Sequence, residues 1–351
     1  MSTLAIELHD AGVLLRDEAG AVHGTGSPGF ALLDGDKLRT GTTAAQAARV
    51  HPRHVHHTYW QNLATSPLGR PFPREWSSAD LAHAHLERLR RKGEGDPESV
   101  LVAASGGFSG EQLALLLSIA RSAGLPVTAM ADSAVAAAAA ASLPPGHYLH
   151  LDLHLHRLVA TELEVGDAIA RGQVHVEDEA GLLELSEAWV RTIADAFVRQ
   201  TRFDPLHSAA SEQQLFDGLD GWLVGARHRD RLDFAMTGSD SEHRAEILRC
   251  DLIKAAEPLY GALFDKVNAA GSGGETPRLV LAQRTGALPG LEEMLEELTG
   301  RRPVVLPLDA AVRGLLNARG GFETSEPGVR FITRLTGASS PPLSEPSRAT
   351  T

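Results

Sequence analysis

The fold is decided by residues 99–138, which read SVLVAASGGFSGEQLALLLSIARSAGLPVTAMADSAVAAA. Two buried strands are predicted from the apolar runs at residues 100–104 and 126–131. The leucine-rich stretch between them predicts a helix that begins after Ser109 and ends at Gly124, and Gln112 lies at the spacing of a capping box. Asp132 is placed to cap a following helix of alanines. This alternation of strand and helix is typical of a parallel sheet in an α/β protein.

A hairpin pattern precedes α/β material twice along the chain. The strands of the first hairpin are predicted at residues 4–8 and 13–15, and those of the second at residues 148–156 and 158–165. Later strands are predicted at residues 278–282 and 303–306, with helices beginning near Pro289 and Asp309. Residues 34–97 are interpreted as loops around one helix at 79–91, and a long helix is predicted from 241 towards 267. We therefore expect a first lobe of residues 1–150 with a returning helix at 309–321, a second lobe of residues 151–308, and a disordered tail at residues 337–351.

Composition excludes several classes of protein. The 351 residues are 43% hydrophobic, enough for about two domains at roughly 150 residues each. A net charge of −12 argues against a nucleic-acid partner, because phosphates require a basic surface. No apolar run reaches the roughly 18 residues that a membrane span needs, and no signal peptide is evident. The single cysteine, Cys250, is interpreted as a buried small residue, and a cytoplasmic location is expected.

The order of these segments resembles the superfamily that includes actin, sugar kinases and the seventy-kilodalton heat-shock proteins. The resemblance is carried by residues 5–8 (AIEL), 122–125 (SAGL), 132–138 (DSAVAAA), 150–153 (HLDL) and 278–316. It implies an α/β fold of two ribonuclease H-like lobes, with ATP and magnesium in the cleft. Because only a tail follows residue 336, we expect the peptide-binding domain of the heat-shock proteins to be absent. The residues that it places beside the nucleotide are His9, Asp10, His154, His156, Gln283 and Arg284. For an ATPase, the acidic residues around the metal are Glu7, Asp132 and Asp152.

The departures from this family concern the phosphate-binding hairpins. The family has glycines after an aspartate, whereas this chain has Glu7-Leu8-His9 in the first hairpin and Asp152-Leu153-His154-Leu155-His156 in the second. Glycines let backbone amides approach phosphate closely. Ala282-Gln283 also replaces a glycine pair, and no lysine lies between Lys37 and Lys92, where the heat-shock proteins have a catalytic one. Losing three or four charge-assisted contacts removes roughly 5–12 kcal/mol, comparable to a micromolar affinity, so we expect a weakened ATP site.

Histidines form a second distinctive pattern. His150, Asp152, His154 and His156 alternate with leucines on a predicted strand and therefore share one face. Imidazole and carboxylate groups on one face are ligands for zinc or another divalent metal, and the resemblance places His9 and Asp10 opposite them. The alternative is a solvated cleft wall. His51, His54, His56 and His57 lie in a Pro- and Arg-rich stretch and are interpreted as a solvated loop.

Two further features each allow a structural and a functional interpretation. The glycine-rich stretch Ser105-Gly106-Gly107-Phe108-Ser109 follows a strand and precedes a helix. It forms either a simple turn or an anion site at the helix N-terminus, although it lacks the lysine of a P-loop. Asp132 is either a helix cap or an acidic residue near the attacking water of an ATPase.

Three functional hypotheses follow from the sequence. The first is a binding or regulatory protein with a degenerate ATP site and a protein partner. The second is a working chaperone-like ATPase or kinase-like enzyme that uses Glu7, Asp132 and Asp152. The third is a histidine-based metal site in the cleft.

Overall fold

The computed structural model describes residues 2–92, 96–227, 229–238, 241–271, 276–322 and 328–336. The strands are β1 (Thr3–Leu8), β2 (Val13–Asp17), β3 (Val22–Ser27), β4 (Ala31–Asp34), β5 (Lys37–Thr40), β6 (Val55–His56), β7 (Ser99–Ala104), β8 (Val127–Asp132), β9 (Gly146–Leu153), β10 (Arg157–Val165), β11 (Ala168–Asp178), β12 (Arg231–Thr237), β13 (Glu242–Leu248), β14 (Arg278–Leu281), β15 (Val304–Val305), β16 (Phe331–Ile332) and β17 (Arg334–Thr336). The helices are α1 (Thr42–Ala45), α2 (Ser78–Lys92), α3 (Gly110–Ser122), α4 (Ser133–Ala139), α5 (Leu182–Thr201), α6 (Ala209–Leu223), α7 (Arg249–Ala255), α8 (Glu257–Gly271), α9 (Gln283–Gly286), α10 (Leu291–Thr299) and α11 (Ala310–Asn317). Within these ranges, none of the helices combines the length and the apolar character that crossing a membrane requires.

Two six-stranded mixed sheets organise the molecule. The first has the order β16-β8-β7-β1-β2-β3, and the second has the order β15-β14-β9-β10-β11-β17. In each sheet three consecutive antiparallel strands, β1-β2-β3 or β9-β10-β11, are joined through their first strand to parallel strands. The expectation of a mixed α/β protein is therefore confirmed.

The predicted strand–helix–strand unit forms as its local signals dictate. The Ser109 hydroxyl accepts the Gln112 amide at 3.1 Å, and the Gln112 side chain accepts the Ser109 amide at 3.0 Å, which is the predicted capping box. Gly124 follows α3 with φ at +80°, a conformation that strains most other residues. Asp132 caps α4 by accepting the amides of Ala134 and Val135.

The two sheets face each other across α4 and α11. One cluster of buried apolar side chains contains Ala5 and Leu14 of the first sheet, Tyr148 and Val280 of the second, and residues of both helices, including Leu315. The helices cross at Gly314, where an added Cβ would lie 1.7 Å from the Ala136 carbonyl oxygen. The remaining faces of the sheets are covered by α2 and α3 on the first and by α5, α6, α8 and α10 on the second.

Several local predictions are wrong, for identifiable reasons. The segment 241–267 begins as strand β13, because Ala245 and Ile247 pair with the apolar face of β12, and only then becomes helical in α7 and α8. Residues 34–97 contain, besides α1 and α2, the strands β5 and β6, which form a small sheet with β4. Cys250 is exposed in the first turn of α7. Residues 331–336, for which no strand was predicted, add one strand to each large sheet, and the predicted tail at 337–351 lies outside the described residues.

Candidate functional site

The candidate site lies where the turns of the two sheets' first hairpins meet. The β1–β2 turn is closed by the Gly12 amide, which donates to the His9 carbonyl at 2.9 Å. The β9–β10 turn is closed by the His154 amide, which donates to the Arg157 carbonyl at 2.8 Å. Leu149, Leu151 and Leu153 point into the core of the second sheet, as strand alternation predicts. The strand ends at Leu153, however, so His154 and His156 lie on the turn and not on a strand.

Two histidine–aspartate hydrogen bonds cross between the turns in opposite directions. His9 Nδ1 accepts the Ala11 amide at 3.2 Å, so its Nε2 carries the proton that it donates to Asp152 Oδ1 at 3.1 Å. His154 Nδ1 in turn donates to Asp10 Oδ1 at 3.0 Å, and the Leu155 amide donates to the same oxygen at 2.9 Å. The two imidazole rings stack with centroids 4.1 Å apart and planes 15° apart. These contacts bring together four of the residues singled out from the sequence.

Burial controls the protonation of this cluster. Loss of hydration lowers the pKa of His9 to about 4 despite the opposing charge of Asp152, so His9 is neutral at neutral pH. Burial acts to raise the pKa of Asp10, but His154 and the Leu155 amide hold it below its usual range. The pKa of Asp152 is also lowered, because His9 and the neighbouring histidines outweigh the effect of burial. Both aspartates are therefore carboxylates whose charge is stabilised by imidazole groups.

A small cavity adjoins the two turns. It has a volume of about 20 Å³ and is lined by Glu7, His150, Asp152, Gln283 and Arg284, among others. Burial raises the pKa of Glu7 to about 8, although the Arg284 charge opposes the shift, so Glu7 is mostly protonated at neutral pH. His150 is buried, its pKa is lowered by burial, and its Nε2 has no hydrogen-bond partner among the described residues.

Arg284 closes one side of this space. Its guanidinium donates to the Gly12 carbonyl at 3.2 Å, and a Cβ added at Gly12 would lie 2.6 Å from it. The absence of a side chain at Gly12 thus allows an arginine of the second half of the chain to lie against the first hairpin turn. Gln283 and Arg284, which the resemblance places beside the nucleotide, are in fact at the cavity wall.

Asp132 is engaged outside this cavity. Its Oδ1 caps α4, and its Oδ2 accepts a hydrogen bond from Arg171 of β11 at 3.0 Å. Burial raises its pKa, while the Arg171 hydrogen bond and the amides of α4 oppose the shift. The helix-cap interpretation is correct, and the ion pair to the second sheet is an addition that the sequence did not reveal.

His156 belongs to a separate group. Its Nδ1 lies 3.1 Å from Glu184 Oε1 at the start of α5, and its Nε2 lies 3.0 Å from His57 Nδ1. Burial lowers the pKa of His57 to about 4, with further contributions from His156 and its neighbours. The interpretation of residues 51–57 as a solvated loop is therefore wrong for His56 and His57, which are half-buried, and correct for the exposed His51 and His54.

The predicted metal ligands are thus divided between the two groups. Among the described residues, the set of three whose ligating atoms all lie within 4.8 Å of one another is His9, Asp10 and His154. His150, His154 and His156 are all buried, so the alternative of a solvated histidine wall is wrong. The turns pack directly against each other, which removes these rings from water.

Sequence reasoning missed Arg157, the first residue of β10. It is 6% exposed, and its guanidinium lies over the Phe108 ring with Cζ 5.5 Å from the centroid. Arg171 and Glu184 were also missed, because their partners lie far away in sequence and no local pattern marks them.

No protein-family model matches the chain, and no significant match is found among curated proteins. The functional interpretation therefore depends on the geometry of the chain's own residues.

Proposed function

We propose that this chain is a two-lobed protein related in fold to actin and the heat-shock proteins, that its cleft no longer accepts ATP, and that it acts as a binding or regulatory protein. The relation in fold is supported by the common strand order of the two sheets, in which three antiparallel strands precede the parallel ones. It is also supported by the hairpin turns, which face each other where that family holds phosphates.

The main support for a loss of ATP binding is that side chains fill the space between the hairpin turns. His9 and His154 stack in it, and Arg284 lies against Gly12. The remaining cavity of about 20 Å³ has room for about one water molecule, whereas small-molecule pockets have volumes of roughly 300–1,000 Å³. A nucleotide would have to displace both imidazole rings and break their bonds to the aspartates.

The acidic residues that an ATPase would use already have other roles. Asp152 accepts the His9 hydrogen bond, and Asp132 caps α4 and pairs with Arg171. Glu7 is mostly protonated at neutral pH, since burial raises its pKa to about 8. None of the three is a free carboxylate facing an open cleft, and this favours the binding protein over the enzyme.

Nucleotide titration tests this proposal. Wild-type protein is titrated with ATP and magnesium by isothermal titration calorimetry, and release of inorganic phosphate is measured in parallel. We expect neither saturable binding at millimolar ATP nor hydrolysis above that of buffer. Hydrolysis at an ordinary enzyme rate that Asp152→Asn abolishes would refute the proposal and favour the ATPase.

A divalent metal site is the second candidate function, because His9, Asp10 and His154 bring their ligating atoms within 4.8 Å. All three are buried, and His154 Nε2 has no hydrogen-bond partner among the described residues, although it lies 3.9 Å from Asp152 Oδ2. Two features oppose this candidate. His9 Nδ1 and Asp10 Oδ1 already accept hydrogen bonds, and the two rings stack with their planes only 15° apart, so their ring nitrogens lie in nearly parallel planes.

Cobalt separates the two candidates, because Co²⁺ bound by imidazole and carboxylate has visible absorption bands. A metal site requires saturable binding of one Co²⁺ per chain that is lost in His154→Gln. His175→Gln is the matched control, since His175 pairs with Glu162 on the surface. Equal, weak binding by wild type and both variants would exclude the metal site and leave the first proposal unaffected.

A further inference from the structure

The glycine-rich loop of residues 105–109 lies under the second sheet. A Cβ added at Gly106 would lie 2.6 Å from Asp132 Oδ2 and 3.1 Å from the Arg171 guanidinium. A Cβ added at Gly107 would lie 3.2 Å from a Val176 methyl and 3.7 Å from Arg157 Cζ. The glycines therefore let two arginines of the second sheet approach the backbone of this loop.

The two arginines differ in how their charge is balanced. Arg171 forms an ion pair with Asp132 at 3.0 Å. Arg157 is 6% exposed, yet its side chain forms no hydrogen bond or ion pair within the described ranges, and its buried Nε has no partner. Removing an unpaired charge from water is costly, so a guanidinium in this state is expected to have an anionic partner.

The nearest acidic residues do not supply that partner. Asp10 and Asp178 favour the charged form of Arg157, but burial outweighs them and lowers its pKa. Asp10 is occupied by His154 and the Leu155 amide, and Asp178 accepts a hydrogen bond from Gln61 at 3.0 Å. Neither carboxylate lies within ion-pair distance of the guanidinium.

The loop brings a second source of positive potential to the same place. It leads into α3, a helix of 13 residues whose first amides have no partner within the helix. Ser105 and Ser109 fix the loop, since the Ser105 hydroxyl accepts the Gly107 amide at 3.2 Å and Ser109 caps the helix. The guanidinium of Arg157 lies beside this N-terminus, over the Phe108 ring.

We propose that Arg157 and the loop of residues 105–109 form a binding site for one oxyanion of the phosphate class. A planar guanidinium can donate two parallel hydrogen bonds to two oxygens of one phosphate, and a helix N-terminus also favours a negatively charged ligand. This inference goes beyond the proposed function, which concerns the closed space between the hairpin turns, and it does not depend on that function.

Phosphate titration tests the site. Inorganic phosphate and O-phosphoserine are titrated into the full chain at constant ionic strength, with chloride as the reference anion. We expect saturable binding of one anion per chain. Tighter binding of inorganic phosphate would indicate that the site binds a free phosphate ion. Tighter binding of phosphoserine would indicate that it binds a phosphoryl group carried by a partner protein.

Charge-matched variants locate the binding. Arg157→Gln should bind about 10- to 100-fold more weakly, the effect of losing a hydrogen bond to a charged group. Arg121→Gln removes the same charge at the exposed, opposite end of α3 and should bind like wild type. Equal weakening in both variants, or no binding by wild type, would overturn the proposal.

Two further measurements distinguish loss of the anion site from general destabilisation of the protein by Arg157→Gln. Without phosphate, Arg157→Gln should unfold at a higher temperature than wild type, because it removes an unpaired buried charge. Gly107→Ala keeps the arginine but adds a methyl group in ordinary contact with its guanidinium, and it should weaken phosphate binding several-fold while the chain stays folded. Unchanged binding in Gly107→Ala together with lower stability of Arg157→Gln would contradict the site.

Discussion

The crossing of α4 and α11 at Gly314 allows a quantitative prediction about how the two sheets are held together. In Gly314→Ala, the new Cβ would lie 1.7 Å from the Ala136 carbonyl oxygen. Carbon–oxygen contacts in proteins are about 3.3–3.6 Å, so one helix must move by about 1.6 Å. The carbonyl oxygen belongs to the backbone and the backbone also fixes the position of the Cβ, so no side-chain rotation relieves the contact in this closely packed core.

The expected loss of stability follows from two opposing effects. Overpacking a core costs about 1–3 kcal/mol and sometimes more, and a clash of this size belongs at the upper end. Replacing glycine by alanine inside a helix gains up to about 1 kcal/mol. We therefore expect Gly314→Ala to lower the free energy of unfolding by about 2 kcal/mol or more.

The matched control is Gly261→Ala in α8, where an added Cβ meets nothing within 4 Å. This variant should gain up to about 1 kcal/mol, because only the helix propensity changes. Urea unfolding followed by tryptophan fluorescence measures both variants against wild type. If Gly314→Ala proves as stable as Gly261→Ala, the close helix crossing described above is incorrect.

Three further predictions concern buried polar groups. Burial lowers the pKa of His85 to about 3, with the Arg88 charge adding to the effect. Its ring resonances in an NMR titration should therefore stay constant between pH 8 and pH 5. Below the ordinary pKa of about 6.5, the unfolded chain binds a proton at this histidine and the folded chain does not. As the pH drops from about 6.5 towards 3, the free energy of unfolding should therefore fall by about 1.4 kcal/mol per pH unit from this residue alone. A titration of the His85 ring near pH 6.5 would contradict its burial. Asp132→Ala removes the cap of α4 and leaves Arg171 unpaired, so we expect a loss of about 2–3 kcal/mol in urea unfolding; a change within error of zero would be inconsistent with this double role. Tyr59→Phe should lower the free energy of unfolding by only about 1 kcal/mol, because the indole N–H of Trp60 also donates to the same nitrogen, His85 Nδ1. A much larger loss of stability would show that the Tyr59 hydroxyl is the main partner of this nitrogen.

The sequence by itself determined the elements whose signals are local. The capping box at Ser109, the glycine at 124 and the alternation around Leu151 each act within a few residues, and the structure has the helix, its end and the buried strand face as predicted. Local signals failed where a distant partner decides the conformation. Residues 242–248 form a strand because they pair with β12 and pack Ala245 and Ile247 beside its apolar side chains, although their composition also suits a helix.

The candidate site shows the same division. The strand pattern grouped Asp152 with His154, the resemblance placed His9 and Asp10 opposite them, and the structure brings the four residues together. The sequence could not say which histidine bonds which aspartate, because His9 and Asp152 are separated by 143 positions. Nor could it show that Arg157 is buried without an ionic partner among the described residues. The burial of a side chain and the pairing of its charge depend on all the residues packed around it, including those distant in sequence. Periodicity and capping are properties of neighbouring residues, whereas the protonation of buried groups, the contact between the hairpin turns and the pairing of charges arise only when the two sheets meet.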